Sequence, residues 1–89
     1  MKEIQVMVNT KVGLHARPAA LFVQTAKQFS SRITIINAGK DANAKSILNV
    51  LALGVYHGTT VQIQAEGEDE DKAIAALLEL IESNFGEPE

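Results

Sequence analysis

Three stretches of this chain carry apolar side chains at every second position with polar ones between them, and this one-sidedness narrows the fold more than any other feature. Ile4, Val6 and Val8 alternate with Glu3, Gln5 and Met7. Ile33 and Ile35 lie within Arg32 to Asn37, and Val61, Ile63 and Ala65 alternate from Thr60 to Glu66. Successive side chains of a strand point to opposite faces, so each of these strands has one face for a core and one for water. Two other stretches repeat every three or four residues: Ala19, Phe22, Val23 and Ala26, then Ile74, Leu77, Leu78, Ile81 and Phe85. Those are helices with one apolar side. One-faced strands and one-faced helices bury themselves together as an α+β sandwich of two layers, an antiparallel-rich sheet covered on one side only. Glu3, Gln5, Thr34, Gln62 and Gln64 should then face water.

Punctuation fixes the order as β-α-β-β-α-β-α. Asn9 to Gly13 reads as a turn, and the first helix runs from Ala16 to about Gln28. Phe29-Ser30-Ser31 is a break, and Lys40 to Asn43 can form a short polar edge strand. Ser46 suits the N-cap of a short helix, Ile47 to Leu53, that stops at Gly54. Asn49 takes the place where a capping box wants Glu or Gln. Val55 to Gly58 is a loop, and Glu68 to Asp71 forms an acidic start to the last helix that suits the positive end of its dipole. Residues 1–89 form one domain, with 85–89 expected as a frayed tail.

The bulk properties exclude several kinds of function. Aromatics are only 4% against 46% hydrophobic residues, so the core is aliphatic and base-stacking platforms are lacking. With no cysteine, disulfides, thiol catalysis and thiolate metal sites are removed together. No run reaches signal or membrane length, so a soluble, cytoplasmic monomer without a membrane partner is expected. The net charge is −3. Residues 1–65 hold seven Lys/Arg against Glu3 and Asp41, or +5, whereas residues 66–89 hold nine acids against Lys72, or −8. An anionic group would be drawn to the first part. Aromatic residues for base stacking are nearly absent there and the overall charge is negative, so a nucleic-acid partner is not expected.

Gly13-Leu14-His15-Ala16-Arg17-Pro18 is the segment with chemical content. Proline is tolerated in a first helical turn, so Pro18 places His15 at or beside an N-cap, with the unpaired amides of Ala16 and Arg17 opening after it. A helix N-terminus attracts phosphate, and imidazole is a nucleophile able to form a covalent intermediate. An added phosphoryl group would meet the dipole and the Arg17 guanidinium. The plainer alternative, favoured on physics alone, is that His15 only caps the helix and Arg17 is a solvated charge. Ser46 is an N-cap first and a phosphorylation site second. Gly39-x-x-x-x-Ala44-Lys45-Ser46 misses a phosphate-binding loop by one glycine and is rejected. His57 reads as a solvated loop histidine, and no metal or cofactor is expected. Glu68 to Asp71 lacks the oxygen spacing of a calcium loop.

Gly13-Leu14-His15-Ala16-Arg17-Pro18-Ala19-Ala20 closely resembles HPr, the histidine-containing phosphocarrier family of the bacterial phosphoenolpyruvate-dependent sugar phosphotransferase system. Two further stretches agree: Ala44-Lys45-Ser46-Ile47-Leu48-Asn49-Val50-Leu51-Ala52-Leu53-Gly54-Val55 and Ala65-Glu66-Gly67-Glu68-Asp69-Glu70. The resemblance implies an open-faced β-sandwich, a four-stranded antiparallel sheet with three helices on one face. It implies a covalent carrier and no stand-alone enzyme. His15 would accept a phosphoryl group on Nδ1 from enzyme I, charged by phosphoenolpyruvate, and pass it to a sugar-specific enzyme II A domain. Arg17 matches the arginine beside that phosphate, with the Ala16 and Arg17 amides. Ala20, Gln24, Ile47, Leu48 and Leu51 match the docking surface. Ser46 matches the serine that an ATP-dependent serine kinase/phosphorylase modifies in the family, a phosphorylation that lowers transfer at His15 and recruits a catabolite-control transcription regulator. Asn49 departs from the glycine often found there. The presence of His15 disfavours the regulatory paralogue lacking it. A nitrogen-branch or mainly regulatory phosphoprotein is the alternative.

Overall fold

The structure, a computed structural model, describes residues 1–11 and 13–86; Val12 in the first turn and 87–89 of the expected tail lie outside them. The elements follow in the expected order: β1 Lys2–Val8, α1 Ala16–Ala26, β2 Arg32–Asn37, β3 Lys40–Asn43, α2 Ile47–Ala52, β4 Thr59–Glu66 and α3 Glu70–Glu82, then a 3-10 turn at Asn84–Gly86. The strands form one antiparallel four-stranded sheet in the order β1-β4-β2-β3. Three helices cover one face, giving the open-faced α+β sandwich.

Register explains which face is covered. Ile4 pairs with Ile63, which pairs with Ile35, which pairs with Ala42, so one apolar row crosses all four strands. Val6 opposite Val61, and Ala65 opposite Ile33, add two more rows. A one-residue slip would turn these rows to water. Phe22, Leu77 and Ile81 descend from the helices onto them, and all three are fully buried. On the other face Glu3, Gln64, Thr34 and Asn43 form a polar row, with Gln64 Nε2 donating to Glu3 Oε2 at 2.7 Å.

The C-terminal ends of α1 and α2 fall a residue or two short of the expected ones, with a common cause. The chain after α1 tightens into i→i+3 bonds, Gln28 N–H to Thr25 O at 3.1 Å and Phe29 N–H to Ala26 O at 3.3 Å. After α2, Leu53 and Gly54 do the same to Val50 and Leu51. Such bonds satisfy the last carbonyls of a helix without extending it. One boundary needs a larger correction. Phe85, assigned by sequence to a frayed tail, is buried in the core, reached through positive φ at Asn84 and Phe85. A side chain that large offsets the cost of a turn.

Asp69 ties the two layers together. It is the N-cap residue of α3 through its backbone, its carbonyl accepting from Ala73 N–H at 2.9 Å, while its side chain makes no cap bond. Its Oδ1 accepts from the amide of Ser31 at 2.9 Å and from the Ser31 hydroxyl, and its Oδ2 accepts from the Ser30 amide at 2.8 Å. These bonds hold its carboxyl at about 2, below the usual 3.8, with the Ser31 hydroxyl the largest cause and the Ser30 amide next.

Candidate functional site

Two loops come together to present His15. Gly13 has φ +65, and a Cβ there would stand 2.3 Å from the carbonyl oxygen of Val55. Only glycine allows the loop between β1 and α1 to lie so close against the loop between α2 and β4. Beside it, Leu14 donates its N–H to Val55 O at 3.0 Å and buries its side chain. With Leu14 pinned inward, the next residue is turned out: His15 is exposed, extended at φ −83, ψ −173, and caps α1 through its backbone. Its carbonyl accepts from Ala19 N–H at 2.8 Å, while its side chain makes no cap bond.

The first turn of α1 has the expected form. Pro18 has no N–H to lose, and its ring is buried. Among the described residues no acceptor takes the N–H of Ala16 or Arg17, and no acidic side chain lies in that turn. Arg17 is exposed and makes no ion pair there. The His15 ring therefore shares one solvent-facing turn with two amides and a guanidinium, donors suited to an oxyanion.

Sequence reasoning missed what stands across from His15. Lys11, Tyr56 and His57 line, with His15, an open cavity of about 450 Å³ that Arg17 does not line. His57 is an exposed loop histidine, as expected, and it also bonds through Nδ1 to Thr10 O at 2.9 Å. Thr10 is a buried pivot: its carbonyl also accepts the Gly13 N–H at 3.1 Å, and its hydroxyl donates to Gly13 O at 2.7 Å. No spacing rule links positions 10 and 57. The only signal was the run Tyr56-His57 before Gly58, two side chains with polar ends in a short loop.

Ser46 is the N-cap of α2 and is half-buried. Its Oγ accepts from the Asn49 amide at 3.3 Å and from Asn49 Nδ2 at 2.7 Å. Asn49 thus reaches back to the cap hydroxyl, where a capping-box Glu would take the cap's N–H. The Ser46 N–H goes to Asn43 O instead. From α2 only Val50 is buried, leaving Leu48 77% exposed with Leu51 and Ile47 at 39% and 36%. Helices α1 and α2 pack together, so the half-buried Ala20 and exposed Gln24 of α1 belong to the same helical layer. Three large apolar side chains turned to water on six residues are more than packing requires. No helix among the described residues is long and apolar enough to cross a membrane.

Comparison with known proteins bears on all of this. Residues 2–83 match the family described as PTS HPr component phosphorylation site. Phosphocarrier protein HPr of Xylella fastidiosa (strain 9a5c) is 44% identical over 87 residues, covering 98% of each chain. HPr-like protein Crh of Halalkalibacterium halodurans is 50% identical over 82 residues, 92% of this chain and 98% of that one. The crystal structure of HPr-C-His from Thermoanaerobacter tengcongensis superposes with a TM-score of 0.98 at 55% identity, covering all of both chains.

Proposed function

The chain belongs to the PTS HPr family and so to the phosphocarriers of the phosphotransferase system, and on that premise we propose that His15 is the residue that carries the phosphoryl group. The group arrives from enzyme I, charged by phosphoenolpyruvate, and leaves to an enzyme II A domain. In each transfer a P–N bond to the donor histidine breaks as a P–N bond to the acceptor forms, with no water and no cofactor consumed. The observation that carries the reading is the His15 ring itself, exposed and without a cap bond at the start of α1. The Ala16 and Arg17 amides and the Arg17 guanidinium supply donors for the phosphoryl oxygens. Ala20, Gln24, Ile47, Leu48 and Leu51 form the surface against which both partners dock, bringing donor and acceptor histidines to the same place.

Ser46 supplies a brake in this reading. An ATP-dependent kinase adding phosphate there would put negative charge at the head of α2, one residue before Ile47, and so change which partners the exposed leucines admit. The paralogue without the histidine is disfavoured because His15 is present.

Charging the protein with enzyme I and labelled phosphoenolpyruvate tests the main reading. The label should be acid-labile and base-stable, and it should vanish in His15→Ala. Label that persists in that variant would refute His15 as the carrier.

A further inference from the structure

We infer that Lys11 and His57 form a second wall of the phosphoryl site, holding oxygens of the group on His15 from the cavity that Arg17 does not line. The inference rests on His15 being the carrier. Three observations converge on it. First, the cavity of about 450 Å³ is lined by Lys11, His15, Tyr56 and His57, with no carboxylate among them. Second, Lys11 makes no ion pair or hydrogen bond among the described residues. Third, the bond from His57 goes to a carbonyl oxygen, which can only accept, so Nδ1 carries the hydrogen and Nε2 is the nitrogen left for a ligand.

The acceptor makes this more than a loop staple. Thr10 O is the same atom that receives the Gly13 N–H, so the turn that aims His15 also fixes the His57 ring. A phosphoryl dianion arriving on His15 meets a lysine ammonium and a second imidazole held by the same turn. With Nδ1–H held on Thr10 O, an imidazolium at His57 would present Nε2–H to a phosphoryl oxygen. No bond to phosphorus forms at His57 or Lys11; both are positioning residues. The charged or titratable groups around the phosphoryl group are then Lys11 before α1, His15 and Arg17 at its start, and Tyr56 and His57 before β4. Fixed donors facing the three oxygens stabilise the charge that develops as the group transfers.

Phosphorus NMR of the protein charged by enzyme I and phosphoenolpyruvate tests this. His57→Gln keeps an amide donor for Thr10 O but cannot gain charge. Lys11→Gln breaks no hydrogen bond of the described structure and guards against a folding artefact. Nearby cations favour the dianion, so the second ionisation of phosphoryl-His15 should lie roughly half a pH unit lower in the parent than in either variant, a threefold effect. Lys11→Arg should restore the parent value. Midpoints within about 0.1 unit of the parent in both glutamine variants, a gap well below that expected shift, would overturn the inference while leaving the carrier intact. A parent protein giving no phosphohistidine signal at His15 would instead remove the carrier reading beneath it.

Discussion

Gly13 shapes the site without touching a substrate. At φ +65 an alanine pays the left-handed penalty, and its Cβ would sit 2.3 Å from Val55 O and 2.7 Å from Tyr56 Cα, both backbone atoms that cannot rotate away. The combined strain and overpacking should cost about 2–5 kcal/mol. For a domain of this size that lowers the melting temperature by roughly 10 °C or more, measurable by thermal scanning. The two loops must also part, so phosphorylation of His15 should slow by more than the unfolded fraction accounts for. A Gly13→Ala protein with parental melting temperature and rate would show that the two loops do not depend on this close approach. His15 is placed by the same approach. Its extended backbone and exposed ring follow from Leu14 being drawn into the core one residue earlier.

Helix α3 is joined to the turn before β2 by the Asp69 carboxylate, and this joint should respond to acid in a defined direction. The carboxyl is depressed to about 2 in the fold against 3.8 unperturbed. A depressed carboxyl contributes stability that is present above the unperturbed value and lost as pH falls through the folded one. Urea midpoints should therefore fall between pH 4 and pH 2. Glu70, also lowered, first by the Gly67 amide and next by the Met1 amino group, adds to the fall in the same sense. Asp69→Asn should be less stable at neutral pH and show a shallower acid slope; an unchanged slope would remove Asp69 as the cause. Gly67 is part of the same joint, since a Cβ there would lie 2.8 Å from Ser31 Cα. Elements of this kind divide what a sequence can reveal. Period two over Val61, Ile63 and Ala65 and the spacing through Ile74, Leu77 and Ile81 gave strand, helix and face, because burial acts on neighbours a fixed distance along the chain. The acid run at Glu68 to Asp71 was legible only as dipole complement. That Asp69 reaches across to Ser30 and Ser31, and His57 to Thr10, depends on pairings 39, 38 and 47 residues apart that no local period encodes. The same reasoning explains Phe85: its spacing announced burial, while the neighbouring Gly86 and Pro88 announced an end.

Across the whole molecule, charge and apolar surface are sorted in a way that suits alternate docking. The strand order places β1 beside β4, and α3 packs on both, so the acidic C-terminal part meets the chain's start. The ion pairs Met1 amino to Glu70 at 3.2 Å and Lys2 to Asp71 at 3.6 Å lie there. Exposed pairs of this kind add little stability, so their importance is where they place charge. Helices α1 and α2 contain no acidic residue, and the cations Lys11 and Arg17 border His15. A negatively charged partner surface would be steered to that end, and the apolar crest of α2 would then hold it. Leu48→Asp separates docking from chemistry. Leu48 is 77% exposed, so stability should change by no more than about 0.5 kcal/mol. Losing an apolar anchor and adding like charge should raise the KM for enzyme I about tenfold, close to 1.4 kcal/mol, with kcat within about twofold. Ser46→Asp, one residue before the same helix, should shift KM in the same direction, and its effect should shrink at high salt where that of Leu48 burial persists. Unchanged KM in both variants would take α2 out of the docking surface, and a fall confined to kcat would place it in the transfer step instead.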